Sequence, residues 1–282
     1  MSDLCMLTIV SGYTSSNGPN WIDFLTTTHN QSYIETINLS VGGATVDSDL
    51  VSPFVPTTSF KGQVASSYLP FYADKSVIPW NSHDTLFTIF FGINDVGGDY
   101  RIDNMSLGSR IFEVYSGLID ELYQTGARSF LFLNVPPLDR SPWMNNGLPK
   151  VPGLPSFYRS DIDDYNTRLV QMVNNFTQTY TDATAFLFDT HSIFSRVLND
   201  PCNYRQTCPL KNTTDYCEYY QFNTPNWYTY DARCQVAVDE YFWINSAHPG
   251  FRIHNATAEA ISVGLSLLGL SSEERQSIML AS

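Results

Sequence analysis

Apolar residues in this chain fall into two alternating patterns, short unbroken runs and longer stretches where they return every third or fourth position. Leu86-Phe87-Thr88-Ile89-Phe90-Phe91 is an unbroken β-prone run closed by Gly92-Ile93-Asn94-Asp95, which predicts a buried middle strand ending in a tight turn. Leu107, Ile111, Val114, Leu118, Ile119 and Leu122 then recur at helical spacing, and Gly126 closes that helix. Phe130-Leu131-Phe132-Leu133-Asn134-Val135 predicts the next strand, stopped by Pro136-Pro137. Ile162, Tyr165, Leu169, Val173 and Phe176 mark a second long amphipathic helix, and Ala185-Phe186-Leu187-Phe188-Asp189 a further strand. Strand, helix, strand, helix, strand implies right-handed crossovers and a mostly parallel sheet flanked by helices, an α/β fold.

The flanking segments extend this pattern. Asn17-Gly18-Pro19-Asn20 reads as a turn before a short helix at Trp21-Ile22-Asp23-Phe24-Leu25, with Asn20 as its cap. Tyr33 to Val41 alternates like a strand and stops at Gly42-Gly43-Ala44. Residues 45 to 83 are mixed, with a helix expected near Gln63 to Tyr72. Residues 200 to 235 break the alternation with Cys and aromatic residues and read as a surface excursion. Tyr241-Phe242-Trp243-Ile244 then leads to Asn245-Ser246-Ala247-His248-Pro249-Gly250, and Ala256 to Leu268 predicts a closing helix. No internal repeat or interdomain linker is visible, so one large α/β domain is expected.

Composition narrows the ligands. A net charge of −13 with only fifteen Lys plus Arg lacks the basic footprint that phosphate backbones or anionic membranes demand, so no nucleic acid or membrane partner is expected. Low charged content with 14% aromatic residues suits a protein that handles neutral, hydroxyl-rich ligands. No apolar run reaches membrane-spanning length. Residues 1 to 10 have an acid where a signal peptide carries basic residues, and a short apolar core. Cys202, Cys208, Cys217 and Cys234 lie without interleaved His, which fits two disulfides and an oxidising compartment better than zinc, while Cys5 stands apart. Sequons at Asn30, Asn38, Asn104, Asn175, Asn212 and Asn255 point the same way, each weakly.

Three positions carry candidate chemistry. Asn94 follows a strand, where ligands of open α/β sheets gather, and its amide can donate to an oxygen that turns negative during acyl transfer; the alternative is an ordinary Asx turn. The Gly42-Gly43 pair lets backbone N–H groups approach a ligand, or simply serves a turn needing positive φ. His248, between an apolar run and Pro-Gly, sits on a loop or at a helix entrance and is either a general base or structural. His29, His83, His191 and His254 show no metal-ligand spacing, so neither a metal nor a cofactor is expected.

The order of a Gly pair, Gly-x-Asn-Asp and a late His-Pro resembles the SGNH or GDSL esterase superfamily, whose first block carries a nucleophilic Ser. Asn17-Gly18-Pro19-Asn20-Trp21, Asn38-Leu39-Ser40-Val41-Gly42-Gly43-Ala44, Asn134-Val135-Pro136-Pro137-Leu138-Asp139-Arg140 and Asp189-Thr190-His191-Ser192 are similar to the fungal acetylesterases of carbohydrate esterase family sixteen. The resemblance runs from about residue 12 to about residue 270. It implies a single flavodoxin-like, three-layer SGNH-hydrolase domain over 12–282. It also implies a secreted monomeric ester hydrolase, an acetylesterase on plant cell-wall carbohydrate or small esters. The Gly43 N–H and the Asn94 side chain would be oxyanion donors and His248 the general base. Asn245 stands where the family carries an acid, three residues before that His, and can orient the ring without lending it charge. That loss costs up to about four powers of ten in rate unless another carboxylate, such as Asp95, replaces it.

The chain departs from the family at its front. Gly-Asp-Ser occurs nowhere in it, and the Asn-Gly-Pro-Asn-Trp turn arrives by residue 17, so no nucleophile is assigned. Ser11-Gly12-Tyr13-Thr14 echoes the first block but places Gly12 where the nucleophile belongs. The expectation is that residues 1 to about 11 are an unrelated start, with the first strand missing or replaced, Leu4 to Val10 being apolar enough to fill its slot. The transcript tests this by encoding, or not, Gly-Asp-Ser upstream. As written, the chain is expected to have little esterase activity, Ser11, Ser15 and Ser16 being the substitutes to test. The alternative is a carbohydrate-binding protein without catalysis; a purely structural glycoprotein ranks last.

Overall fold

Unbroken apolar runs become strands and periodic stretches become helices. The computed structural model describes residues 14–30, 32–76, 78–98, 105–147 and 154–268. In chain order these carry α1 (Trp21–Thr27), α2 (Phe60–Gly62), a π-helical stretch Gln63–Tyr68, α3 (Leu69–Phe71), β1 (Leu86–Ile89), α4 (Ile93–Gly97) and α5 (Met105–Gln124). They continue with β2 (Ser129–Leu133), α6 (Leu154–Thr179), β3 (Thr184–Phe188), α7 (Thr190–Asn199) and α8 (Phe251–Leu268). The described residues of 38–140 and 144–195 form one compact unit, and those of 1–37, 141–143 and 196–268 another.

The first of these units is an α/β sandwich built on a parallel sheet in the order β1-β2-β3. Leu86 to Ile89 pair with Ser129 to Phe132, and Ser129 to Leu133 pair with Thr184 to Phe188. Phe130, Leu131, Phe132 and Leu133 are all buried, because β2 has a strand on each side and covered faces, so no polar position interrupts its run. Helix α5 packs on α6, and α6 on β3. Phe130 meets Phe87 at 5.8 Å and Phe176 at 5.1 Å, ring pairs that each add about 0.5–1.5 kcal/mol beyond the area they bury.

The 86–91 run gives a parallel strand as expected, and among the described residues β1 lies at one edge of the sheet and exposes Thr88. One expectation is corrected: residues 33–41 form no strand; the chain is irregular there, with Tyr33 90% exposed and Ile34, Ile37 and Val41 also exposed. Alternation alone makes no strand, because the backbone needs a partner to bond, and none of the described strands pairs with it. The slot suggested for Leu4 to Val10 involves residues outside those described.

The other unit pairs α1 with α8. Asn20 caps α1, its Oδ1 accepting from the N–H groups of Ile22 and Asp23 while the Asp23 carboxylate accepts from the Asn20 N–H. Residues 200–235 have only short turns of 3₁₀ helix and are stapled by Cys202–Cys208 and Cys217–Cys234, the expected two disulfides. Closing a loop the size of the second staple is worth about 3 kcal/mol in chain entropy. Beneath it Tyr220, Cys234, Val238, Tyr241 and Ile244 make a small core of their own.

Candidate active site

The predicted site residues fall into two pairs, Asn245 with His248 in one unit and Gly43 with Asn94 in the other. His248 lies on the loop just before α8, as expected. That loop is closed by backbone bonds: Ile244 N–H donates to the His248 carbonyl at 2.9 Å and Gly250 N–H to the Phe242 carbonyl at 2.8 Å. Arg252 anchors the start of α8 on Asp239 by an ion pair. The turn at 14–18 packs alongside, with Phe251 N–H donating to the Ser16 carbonyl at 2.9 Å and Asn17 accepting from Thr224.

Asn245 Oδ1 collects three hydrogen bonds, from Ala247 N–H at 3.1 Å, His248 N–H at 3.0 Å and His248 Nδ1 at 2.9 Å. A backbone N–H only donates, so the two backbone bonds force the amide oxygen, not its nitrogen, toward the ring. The ring nitrogen facing that oxygen must then carry the proton. Nε2 is left with its lone pair, the state a general base needs. No side chain among those described hydrogen-bonds to Nε2. Desolvation lowers the His248 pKa from its ordinary value, although the residue is exposed. His254, on the first turn of α8, is pushed down to about 4 by burial and by the neighbouring His248, so it stays neutral.

No serine among the described residues hydrogen-bonds to the His248 ring. Ser16 is buried and donates its hydroxyl to the Gly18 carbonyl at 2.6 Å, and Ser15 is exposed on the same turn. Ser11 and Gly12 lie outside the described residues.

In the sheet-bearing unit, β1 ends at Ile89, Gly92 is the N-cap of α4, and Asn94 and Asp95 lie in that helix's first turn rather than in a simple turn. Gly92 adopts φ +118°, and a Cβ there would stand 2.4 Å from Tyr165 Cε1 and 2.6 Å from Val135 Cγ2. Only glycine allows this exit from the strand. Asn94 Nδ2 donates to the Ala44 carbonyl at 3.0 Å, which leaves its second amide hydrogen for another acceptor. Asp95 is fully buried and accepts from the Val46 N–H at 3.0 and 3.3 Å. These two neighbouring side chains clamp the 44–46 backbone, and Gly43 turns just before it at φ +81°. Among the described residues no acceptor takes the Gly43 N–H. The positive-φ turn expected of this glycine is therefore present.

Burial raises the Asp95 pKa to about 7 against the pull of the Val46, Asp95 and Gly92 N–H groups. Its carboxylate is spent on the backbone of its own unit, whereas the partner of His248 Nδ1 is Asn245.

The chain reading missed a clamp across the strand ends. Asn134 Nδ2 donates to Asp189 at 2.8 Å, while Asn134 Oδ1 accepts from the Thr190 hydroxyl and the His191 N–H. Burial raises the Asp189 pKa, but bonds from Ser192 and Asn134 outweigh it and hold the carboxylate below its ordinary value. Asn166, from α6, binds both the N–H and the carbonyl of Val135. The signal was a polar residue directly after each apolar run. Among the described residues no group of three or more His, Cys, Asp or Glu is arranged to hold a metal ion, and no helix is long and apolar enough to cross a membrane.

The GDSL-like Lipase/Acylhydrolase family model matches residues 9–261 of this chain. An acetylesterase of Thermothelomyces thermophilus is 32% identical over 262 residues, covering 90% of this chain and 77% of that protein.

Proposed function

The chain belongs to the GDSL lipase/acylhydrolase family, and from that premise we propose that its site is built to remove acetyl groups from neutral plant cell-wall carbohydrate or small esters. His248 is the general base through Nε2, and Asn245 sets its tautomer. The Gly43 N–H and the free amide hydrogen of Asn94 receive the oxyanion of the tetrahedral intermediate. The observation that carries this reading is the lock on Asn245: three donors converge on Oδ1, so the neutral amide does the orienting part of an acid's work. What it cannot do is stabilise the imidazolium by charge. Two disulfides and the kinship to an acetylesterase support a secreted protein, the six sequons a glycoprotein, and the net charge of −13 weighs against a nucleic acid or membrane partner; we take it to act as a monomer.

Because these 282 residues contain no Gly-Asp-Ser, we assign them no nucleophile. Removing the serine of such a triad leaves about 10³ to 10⁴-fold assistance over water, from binding and the oxyanion donors. Purified chain is therefore expected to hydrolyse 4-nitrophenyl acetate at that residual level, and a serine-directed fluorophosphonate is expected to leave no adduct. Turnover at an ordinary esterase rate, or an adduct on any serine, overturns the missing nucleophile. Asn94→Ala should lower the residual rate about 10²-fold or more, and an unchanged rate contradicts its donor role. The second reading is a carbohydrate-binding protein that keeps its site without catalysis, and a transcript encoding Gly-Asp-Ser upstream would contradict it. That reading expects no esterase turnover above water together with measurable affinity for oligosaccharide.

A further inference from the structure

The disulfide-stapled excursion carries a second concave site that takes no part in the chemistry above. Tyr219, Phe222, Trp227, Tyr228 and Tyr230 are all exposed large aromatics there, while neighbouring Tyr220 and Tyr241 are buried. The local core is therefore already filled, and the exposed rings are not spilling from a region that lacks one. One of them, Tyr219, belongs to a pocket of about 250 Å³. The Cys217–Cys234 disulfide and Tyr241 line it, as do Tyr216, Tyr219 and Arg233. Asn212, Asp215, Glu218 and Gln235 add polar groups that can donate or accept hydrogen bonds.

The pocket is built before any ligand arrives. The Arg233 guanidinium lies 3.6 Å over the Tyr219 ring and is held there by two bonds to the Asp231 carboxylate, at 2.9 and 2.6 Å. Those bonds hold Asp231 down to about 2, so the pair stays ionised across the working pH range. Tyr220 beneath reaches the other side of the strip, donating to the Val236 carbonyl and accepting from the Asp231 N–H. A stapled backbone and a braced ring spare the ordering cost that weakens binding by flexible loops.

We infer that this pocket is a carbohydrate subsite, one that holds a single ring of a neutral oligosaccharide against Tyr219 and Tyr216 while Asn212 and Gln235 bind its hydroxyls. Aromatic faces are negative and the C–H face of a sugar ring is weakly positive, so the two attract when stacked. Charge selects the class. Arg233 is neutralised by Asp231, while Asp215 and Glu218 make no ion pair among the described residues, so acidic sugars are repelled. The subsite rests on the carbohydrate reading of the function, yet none of its lining residues belongs to the Asn245–His248 pair.

Binding, not turnover, tests it. The full chain, made in the oxidising periplasm of a bacterial host so that the Asn-Thr-Thr sequon at Asn212 carries no glycan, is titrated calorimetrically with xylohexaose and with hexagalacturonate. Xylohexaose should bind and hexagalacturonate at least tenfold more weakly. Tyr219→Ala should weaken xylohexaose at least tenfold, Tyr219→Trp should retain it, and Phe222→Ala, exposed but outside the pocket, should leave it unchanged. A protein that hydrolyses 4-nitrophenyl acetate but does not bind xylohexaose, or whose binding ignores Tyr219→Ala, overturns the subsite. A protein that binds through Tyr219 but shows no turnover above water upholds the subsite and overturns the esterase reading instead.

Discussion

Asp95 and Asn245 are both Asx side chains that accept backbone N–H groups to fix a loop, and they do it in opposite surroundings. Asp95 is sealed inside the sheet-bearing unit, where its charge is costly and its pKa climbs to about 7. Asn245 lies near the surface before α8, carries no charge and directs its oxygen by geometry alone. The buried loop depends on packing, so errors of volume and charge there are expensive. The surface loop depends on direction, so changes there alter proton placement more than stability.

The largest expected effect breaks the buried side. Gly92→Ala puts a methyl into Tyr165 and Val135 at a positive φ, and should cost about 3–5 kcal/mol in urea unfolding. A cost under about 1 kcal/mol would show that this strand exit is not tightly packed.

Next is the charge of Asp95. Its folded pKa of about 7 lies above the ordinary carboxylate value, so between those values the native state holds more protons than the unfolded chain. Stability therefore falls as pH rises through this window, by about 1.4 kcal/mol per unit and at most about 4 kcal/mol. Asp95→Asn is neutral throughout, and its denaturation curves at pH 5 and pH 8 should lack that slope.

On the surface side, Asn245→Asp supplies the charge that the amide lacks. It should raise the His248 pKa by about one unit, read from the ring proton shifts in an NMR titration. An unmoved pKa would mean that residue 245 does not govern the ring. Smallest is the stability cost of Asn245→Ala, about 1 kcal/mol, since the freed N–H groups can turn to water. Its visible consequence is a mixed tautomer at His248.

Much of this contrast was legible in the chain. Unbroken runs gave β2 and β3, and the 3.6-residue spacing gave α5, α6 and α8, because burial on two faces or one writes directly into composition. Asn20 and Gly126 marked a helix start and a helix end correctly. The irregular course of 33–41 was not legible, since partners in a sheet are chosen by the fold and not by a segment's own pattern. Asn94, Gly43 and His248 could be singled out by the turn residues around them. The lock on Asn245 could not, because it rests on which atom of an amide faces two backbone donors. The Asn134–Asp189 clamp and the pocket beside Tyr219 likewise arise only when segments distant in sequence meet.

The central claim is that Asn245 holds His248 with its proton on Nδ1 and leaves Nε2 free to act as a base. Long-range ¹H–¹⁵N correlation spectra of the uniformly labelled full chain near pH 8, with His248 assigned by its loss in His248→Gln, read this directly. The structure predicts a protonated-type nitrogen at Nδ1 and a lone-pair-type nitrogen at Nε2. The reverse pattern, or equal sharing of the proton between the two, would contradict it.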